Sequence, residues 1–174
     1  ICKNAVKYGS QEVYIDCPTR EKGQYSGDML ITGSAQTLLT GDTSLLKKAI
    51  DNQMQSARIC KGLMAVTPGS LMQEIADYSL LFPVTALVHY KYSGNKEYLA
   101  ENLSVCEGII EHFQKFERAD GLLEKVDDKW NMVDWPENLR DGYDFPLTLP
   151  VGEGCHNVIN AFYVGCVMKT EEIK

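Results

Sequence analysis

Apolar residues recur at helical spacing along most of the chain. Residues 28–40 (DMLITGSAQTLLT) and 43–61 (TSLLKKAIDNQMQSARICK) each predict a helix, with Leu45, Leu46, Ala49, Ile50 and Met54 on one stripe of the second. Gly41-Asp42 lies between them. Glycine suits the left-handed position that ends a helix, and Asp42 or Thr43 can cap the next one. The device returns further on. Residues 77–92 (DYSLLFPVTALVHYKY) predict one apolar helix with Pro83 near its first turns, followed by Gly94-Asn95 and an amphipathic helix over 96–117. The segments TGDTSLL at 40–46 and SGNKEYL at 93–99 repeat the joint 53 residues apart, as stacked αα-hairpins would. A last helix is expected over 156–168, and Val13-Tyr14-Ile15 reads as a short extended piece. The pattern therefore predicts an all-α chain of five or six helices in two to three hairpins.

The connecting stretches are 62–76 and 118–154. The second holds Gly121, Pro136, Gly142, Pro146, Pro150, Gly152 and Gly154. A connection longer than ~15 residues in a compact domain usually carries function. At 174 residues the chain suits a single domain, 1–174, with a real core. It starts Ile1-Cys2-Lys3 without methionine, so it is expected to be a piece of a longer protein.

Charge and cysteine usage narrow the function classes. A net charge of −7 opposes binding to nucleic acid, whose phosphates it would repel. No apolar run reaches the ~18–20 residues that span a bilayer. The compartment stays open between the cytoplasm and an exported location. The six cysteines, at 2, 17, 60, 106, 155 and 166, include no C-x-x-C pair, so no metal site is expected. They read as mostly reduced, buried, small apolar residues. No phosphate-binding glycine loop appears.

The densest chemistry lies in Asp16-Cys17-Pro18-Thr19-Arg20-Glu21-Lys22-Gly23-Gln24-Tyr25-Ser26-Gly27-Asp28. Pro18, Gly23 and Gly27 make it a structured loop rather than a helix face. Three carboxylates, an arginine and a ring are what a sugar site needs. Carboxylates accept from hydroxyls, an acid serves the glycosidic bond, and a flat ring covers the sugar's apolar face.

The order D-C-P-x-R-E, then an aromatic residue and G-D, resembles the signature of the bacterial α-L-rhamnosidases of glycoside hydrolase family 78. The match is densest over 11–41. The resemblance implies an (α/α)6 barrel, the six-hairpin glycosidase fold, of which this chain would supply about half. It implies hydrolysis of terminal α-L-rhamnosyl residues with inversion and without a cofactor. Glu21 would be the general acid. Asp16, Arg20, Tyr25 and Asp28 would hold the sugar, Arg20 by positioning the acid or touching the sugar. Tyr25 stands where many members carry tryptophan, which suggests a variant subsite. Val133-Asp134-Trp135 is similar to a later G-D-W segment, with Val133 in place of glycine, and Trp135 would line the pocket. The catalytic base would lie outside this chain, so residues 1–174 alone are expected to be inactive or nearly so. Half a barrel also leaves an apolar face for the rest of the barrel or another copy to cover.

Plainer readings accompany each residue. Glu21 can pair with Arg20 or Lys22 as a solvated charge, Asp28 and Asp77 can cap helices, and Tyr25 can simply pack. Glu137 and Glu153 lie in the long loop without a motif to make either the base. His89 is expected in the core or at its rim, and His112 on an exposed helix face. Two other functions fit the same residues: a six-hairpin glycosidase for another sugar, or an inactive helical carbohydrate-binding or assembly module.

Overall fold

In the computed structural model, residues 1–57, 75–126, 128, 131 and 157–174 are described. Their secondary structure is all-α, with seven helices: α1 Cys2–Gly9, α2 Ser26–Thr40, α3 Ser44–Ser56, α4 Ala76–Leu80, α5 Phe82–Ser93, α6 Lys96–Gln114 and α7 Asn157–Ile173. Isolated bridges pair Ser10 with Tyr14 and Glu117 with Leu123.

Both hairpin joints form as the glycines require. Gly41 (φ +73°) ends α2 and Gly94 (φ +68°) ends α5, each in the left-handed region, and each N–H returns to the carbonyl four residues back. Asp42 Oδ1 accepts the Ser44 N–H at 2.8 Å, while Asn95 Oδ1 accepts that of Tyr98 at 2.9 Å and caps α6. The α2–α3 and α5–α6 pairs that result are αα-hairpins. Helix α7 packs on α4, α5 and α6, and α5 also packs on α2 and α3. Asn160 on α7 holds the chain after α6 through paired bonds to the Leu123 backbone, at 2.8 and 2.9 Å.

The core lies between these pairs and is filled by Tyr14, Met29, Leu46, Ile50, Phe82, Ile109, Phe113 and Ile159. Tyr14, from the predicted extended piece, is fully buried and donates to Gln36 Oε1 at 2.9 Å. Its ring lies over Gly33, where an added Cβ would meet Leu46 Cδ1 at 2.9 Å. Helix α2 can approach α3 this closely because Gly33 has no side chain.

Several expected boundaries change. The single helix over 77–92 is two helices, broken at Leu81. Pro83 sits in the first turn of α5, where its missing N–H costs nothing, so the segment restarts there instead of running through. Helix α2 begins two residues before 28, α6 ends at Gln114, and α7 extends to Ile173. Helix α1 was not predicted: Cys2, Ala5 and Val6 share helical spacing, but the helix is only eight residues long and buries none of them. His89 is buried as expected. His112 is not on an exposed face, because Phe113 and Phe116 flank its ring and its Nε2 lies 3.0 Å from Asp128. Cys106 and Cys166 are buried thiols, Cys17 is partly buried and Cys2 is exposed, all free. Cys60 and Cys155 lie outside the described residues.

Exposed apolar side chains include Ile31, Leu38 and Leu39 on α2 and Val164 and Met168 on α7. No helix among the described residues is long and apolar enough to cross a membrane.

Candidate active site

The acidic stretch folds as a closed loop leading into α2. The Asp16 N–H donates to Gly23 O at 3.0 Å, and the Gly23 N–H returns to Asp16 Oδ1 at 2.7 Å. Asp16 is thereby the clasp of the loop. The turn inside it is tight enough to hold Lys22 at φ +53°, in the left-handed region. Helix α2 then starts at Ser26, with Tyr25 as its extended N-cap residue. Gln53 Nε2 donates to Ser26 Oγ at 2.5 Å and anchors this start to α3.

Glu21 sits on the outer side of the loop with both carboxylate oxygens engaged. Oε1 is 2.6 Å from Arg20 Nη2, and Oε2 accepts the Tyr25 hydroxyl. Its backbone N–H points at Cys17 Sγ, 3.3 Å away. The Arg20–Glu21 pair expected from the plainer reading does form, and it is solvated: the Arg20 side chain is 74% exposed. The Tyr25 phenol is held well above its ordinary range, first by burial and then by the Glu21 bond and charge, with Asp16 and Tyr78 adding.

Asp28 lies in the first turn of α2, two residues inside its start, so it is not the N-cap. Burial raises its carboxyl, its own backbone N–H opposes, and the charges of Asp16 and Glu21 push it further up. The structure thus brings Asp16, Arg20, Glu21, Tyr25 and Asp28 to the N-terminal end of α2, close enough for the carboxylates to feel one another. Trp135, with Val133 and Asp134, lies outside the described residues, as do Glu137 and Glu153.

Sequence reasoning missed Tyr78. Its ring meets that of Tyr25 edge-on, with centroids 6.3 Å apart, and covers Gly27, where a Cβ would approach the ring to 3.0 Å. Helix α4 therefore supplies a second aromatic wall, and Gly27 admits it. The A-D-Y-S segment signalled only Asp77. That residue is not the N-cap of α4, a place Ile75 holds; it lies one residue into the helix and is buried. Burial pushes its carboxyl up to about 7 against the pull of the Asp77 and Tyr78 backbone N–H groups. Gln24, beside Tyr25, is also buried, with its side-chain amide unbonded among the described residues. Nothing in a one-dimensional pattern marks either burial.

No cluster of three or more potential metal-ligating side chains occurs among the described residues. The chemistry available is that of carboxylates, a guanidinium and phenols. Such a set can protonate a leaving oxygen and bind vicinal hydroxyls.

Comparison with known proteins matches residues 1–174 to the family described as the bacterial alpha-L-rhamnosidase 6 hairpin glycosidase domain. Among solved structures, the chain is similar to a GH78 family rhamnosidase of Bacillus sp. GL1, with a TM-score of 0.83 and 18% identity. The likeness covers 99% of this chain but only 17% of that one, so this chain spans about a sixth of that protein's length. No curated protein matches the sequence.

Proposed function

This chain belongs to the bacterial α-L-rhamnosidase six-hairpin glycosidase family, and from that we propose that it supplies the acid side of a glycosidase active site that releases terminal α-L-rhamnosyl residues with inversion. The observation that carries this reading is the meeting of Asp16, Glu21 and Asp28 beside Tyr25 at the start of α2. Glu21 is the general acid. It gives its proton to the glycosidic oxygen as the bond to the anomeric carbon breaks. Asp16 and Asp28 accept from the sugar hydroxyls, Arg20 steadies Glu21, and the Tyr25 ring and Trp135 line the sugar. A base in the rest of the polypeptide takes a proton from water on the opposite face. An inverting pair stands ~6.5–9.5 Å apart to admit that water. No cofactor enters this chemistry.

Residues 1–174 form one part of the catalytic domain, and the remaining hairpins cover its exposed apolar positions. The longest natural polypeptide containing this chain should hydrolyse an aryl α-L-rhamnoside, while residues 1–174 alone should show little or no turnover. Robust turnover by residues 1–174 alone would contradict the division of acid and base. A panel of other aryl glycosides tests the neighbouring reading, a different sugar, which the phenol of Tyr25 in place of an indole favours. A non-catalytic carbohydrate-binding module is a third reading, favoured by the Arg20–Glu21 ion pair. It requires Glu21→Gln to change no activity.

A further inference from the structure

The geometry points to Tyr25 as a positioning residue that fixes which oxygen of Glu21 carries the transferable proton. This inference rests on the reading of Glu21 as a general acid. The two partners of Glu21 differ in kind. Arg20, on Oε1, can only donate. A proton on Oε1 would face a donor and break that contact. Tyr25, on Oε2, is a hydroxyl, which donates or accepts by rotating about its C–O bond. When Glu21 is ionised, the Tyr25 O–H donates to Oε2. When Glu21 is protonated, the same hydroxyl turns and accepts from Oε2–H. The proton therefore resides on Oε2, and Oε1 stays with Arg20 in both states.

The surroundings hold the phenol in place for this. The Tyr25 ring is braced edge-on by Tyr78, which Gly27 lets approach, and the charged groups that face the Tyr25–Glu21 pair are Arg20, Asp16 and Asp28. In the reaction, Oε2–H passes to the glycosidic oxygen. That oxygen leaves with the bonding electron pair, Glu21 becomes a carboxylate, and the Tyr25 O–H turns back to donate. Water supplies the hydroxyl to the anomeric carbon, and the base outside this chain takes its proton.

The test is Tyr25→Phe in the longest natural polypeptide, which keeps the ring and removes the hydroxyl. It is assayed on two α-L-rhamnosides, one with an alkyl leaving group and one with nitrophenyl. An alkoxide needs protonation to leave and nitrophenolate hardly does. Misplacing the proton should lower kcat about tenfold on the alkyl substrate and about twofold or less on the nitrophenyl one, with KM held. Equal losses on both substrates, or a loss confined to KM, would overturn the inference. If the wild type cleaves neither rhamnoside, the rhamnosidase reading fails, and a second measurement decides the Tyr25–Glu21 pairing without substrate. In a tyrosine ring-carbon NMR titration, Glu21→Gln should lower the pH at which Tyr25 ionises. An unchanged titration overturns the inference.

Discussion

The same three groups meet twice in this molecule, a carboxylate, a cation and a tyrosine hydroxyl, and the two meetings differ in what they hold. In one, Tyr98 on α6 donates to Asp51 Oδ1 at 2.7 Å while Lys47 reaches Asp51 Oδ2 at 2.9 Å. Tyr98 is 4% exposed, Lys47 Nζ lies 4.1 Å from its ring centroid, and the ring of His89 on α5 meets it edge-on. Helices α3, α5 and α6, distant in sequence, are tied at one point. In the other, Arg20, Glu21 and Tyr25 come from six consecutive residues of a solvated loop. They join no two helices. A triad built across distant segments around a buried ring stabilises the fold. A local one in a solvated loop stabilises little.

A carboxylate buried with no cation acting on it among the described residues marks the far end of this comparison, and it carries the largest expected effect. The folded-state value of Asp77, about 7, stands above its unfolded value of 3.8. The folded chain therefore keeps a proton that the unfolded chain releases. Stability is full below about pH 4, falls as pH rises through the window to 7, and stays low above it. The loss is on the order of 4 kcal/mol. Asp77→Asn should flatten this slope in urea titrations across that range. A variant as pH-sensitive as the wild type would mean that Asp77 is solvated.

Next in size is Tyr98→Phe, which leaves Asp51 without its phenol. Stability should drop by about 1–3 kcal/mol. The matching change in the loop, Tyr25→Phe, should move stability by no more than about 0.5 kcal/mol. Chemical denaturation of both variants reads the contrast directly. Similar losses would show that the loop triad is also a staple.

The hairpin joints were legible in the sequence because they are local. Gly41 and Gly94 need only their own positive φ, and Asp42 and Asn95 bond within three residues. The acidic loop was legible because the order of its residue types resembles a family signature, and the matching family model covers the whole chain. What could not be read depends on distant packing or on a missing pattern. Tyr78 is an ordinary aromatic until α4 lays it over Gly27. Asp77 and Asp28 resemble helix caps until their positions inside the first turns and their burial are seen. The break at Leu81 was hidden because apolar spacing continues across it, and α1 was missed because its eight residues give too short a stripe. The Glu21–Tyr25 bond spans only four residues, but a loop has no fixed period from which to infer it.

The most direct test of Glu21 as the general acid is hydrolysis of an alkyl α-L-rhamnoside by the longest natural polypeptide, wild type beside Glu21→Gln, with folding checked by thermal denaturation. Turnover should fall at least about a hundredfold in the variant, with an unchanged melting transition. Equal turnover in the two proteins would contradict the assignment of Glu21 as the acid.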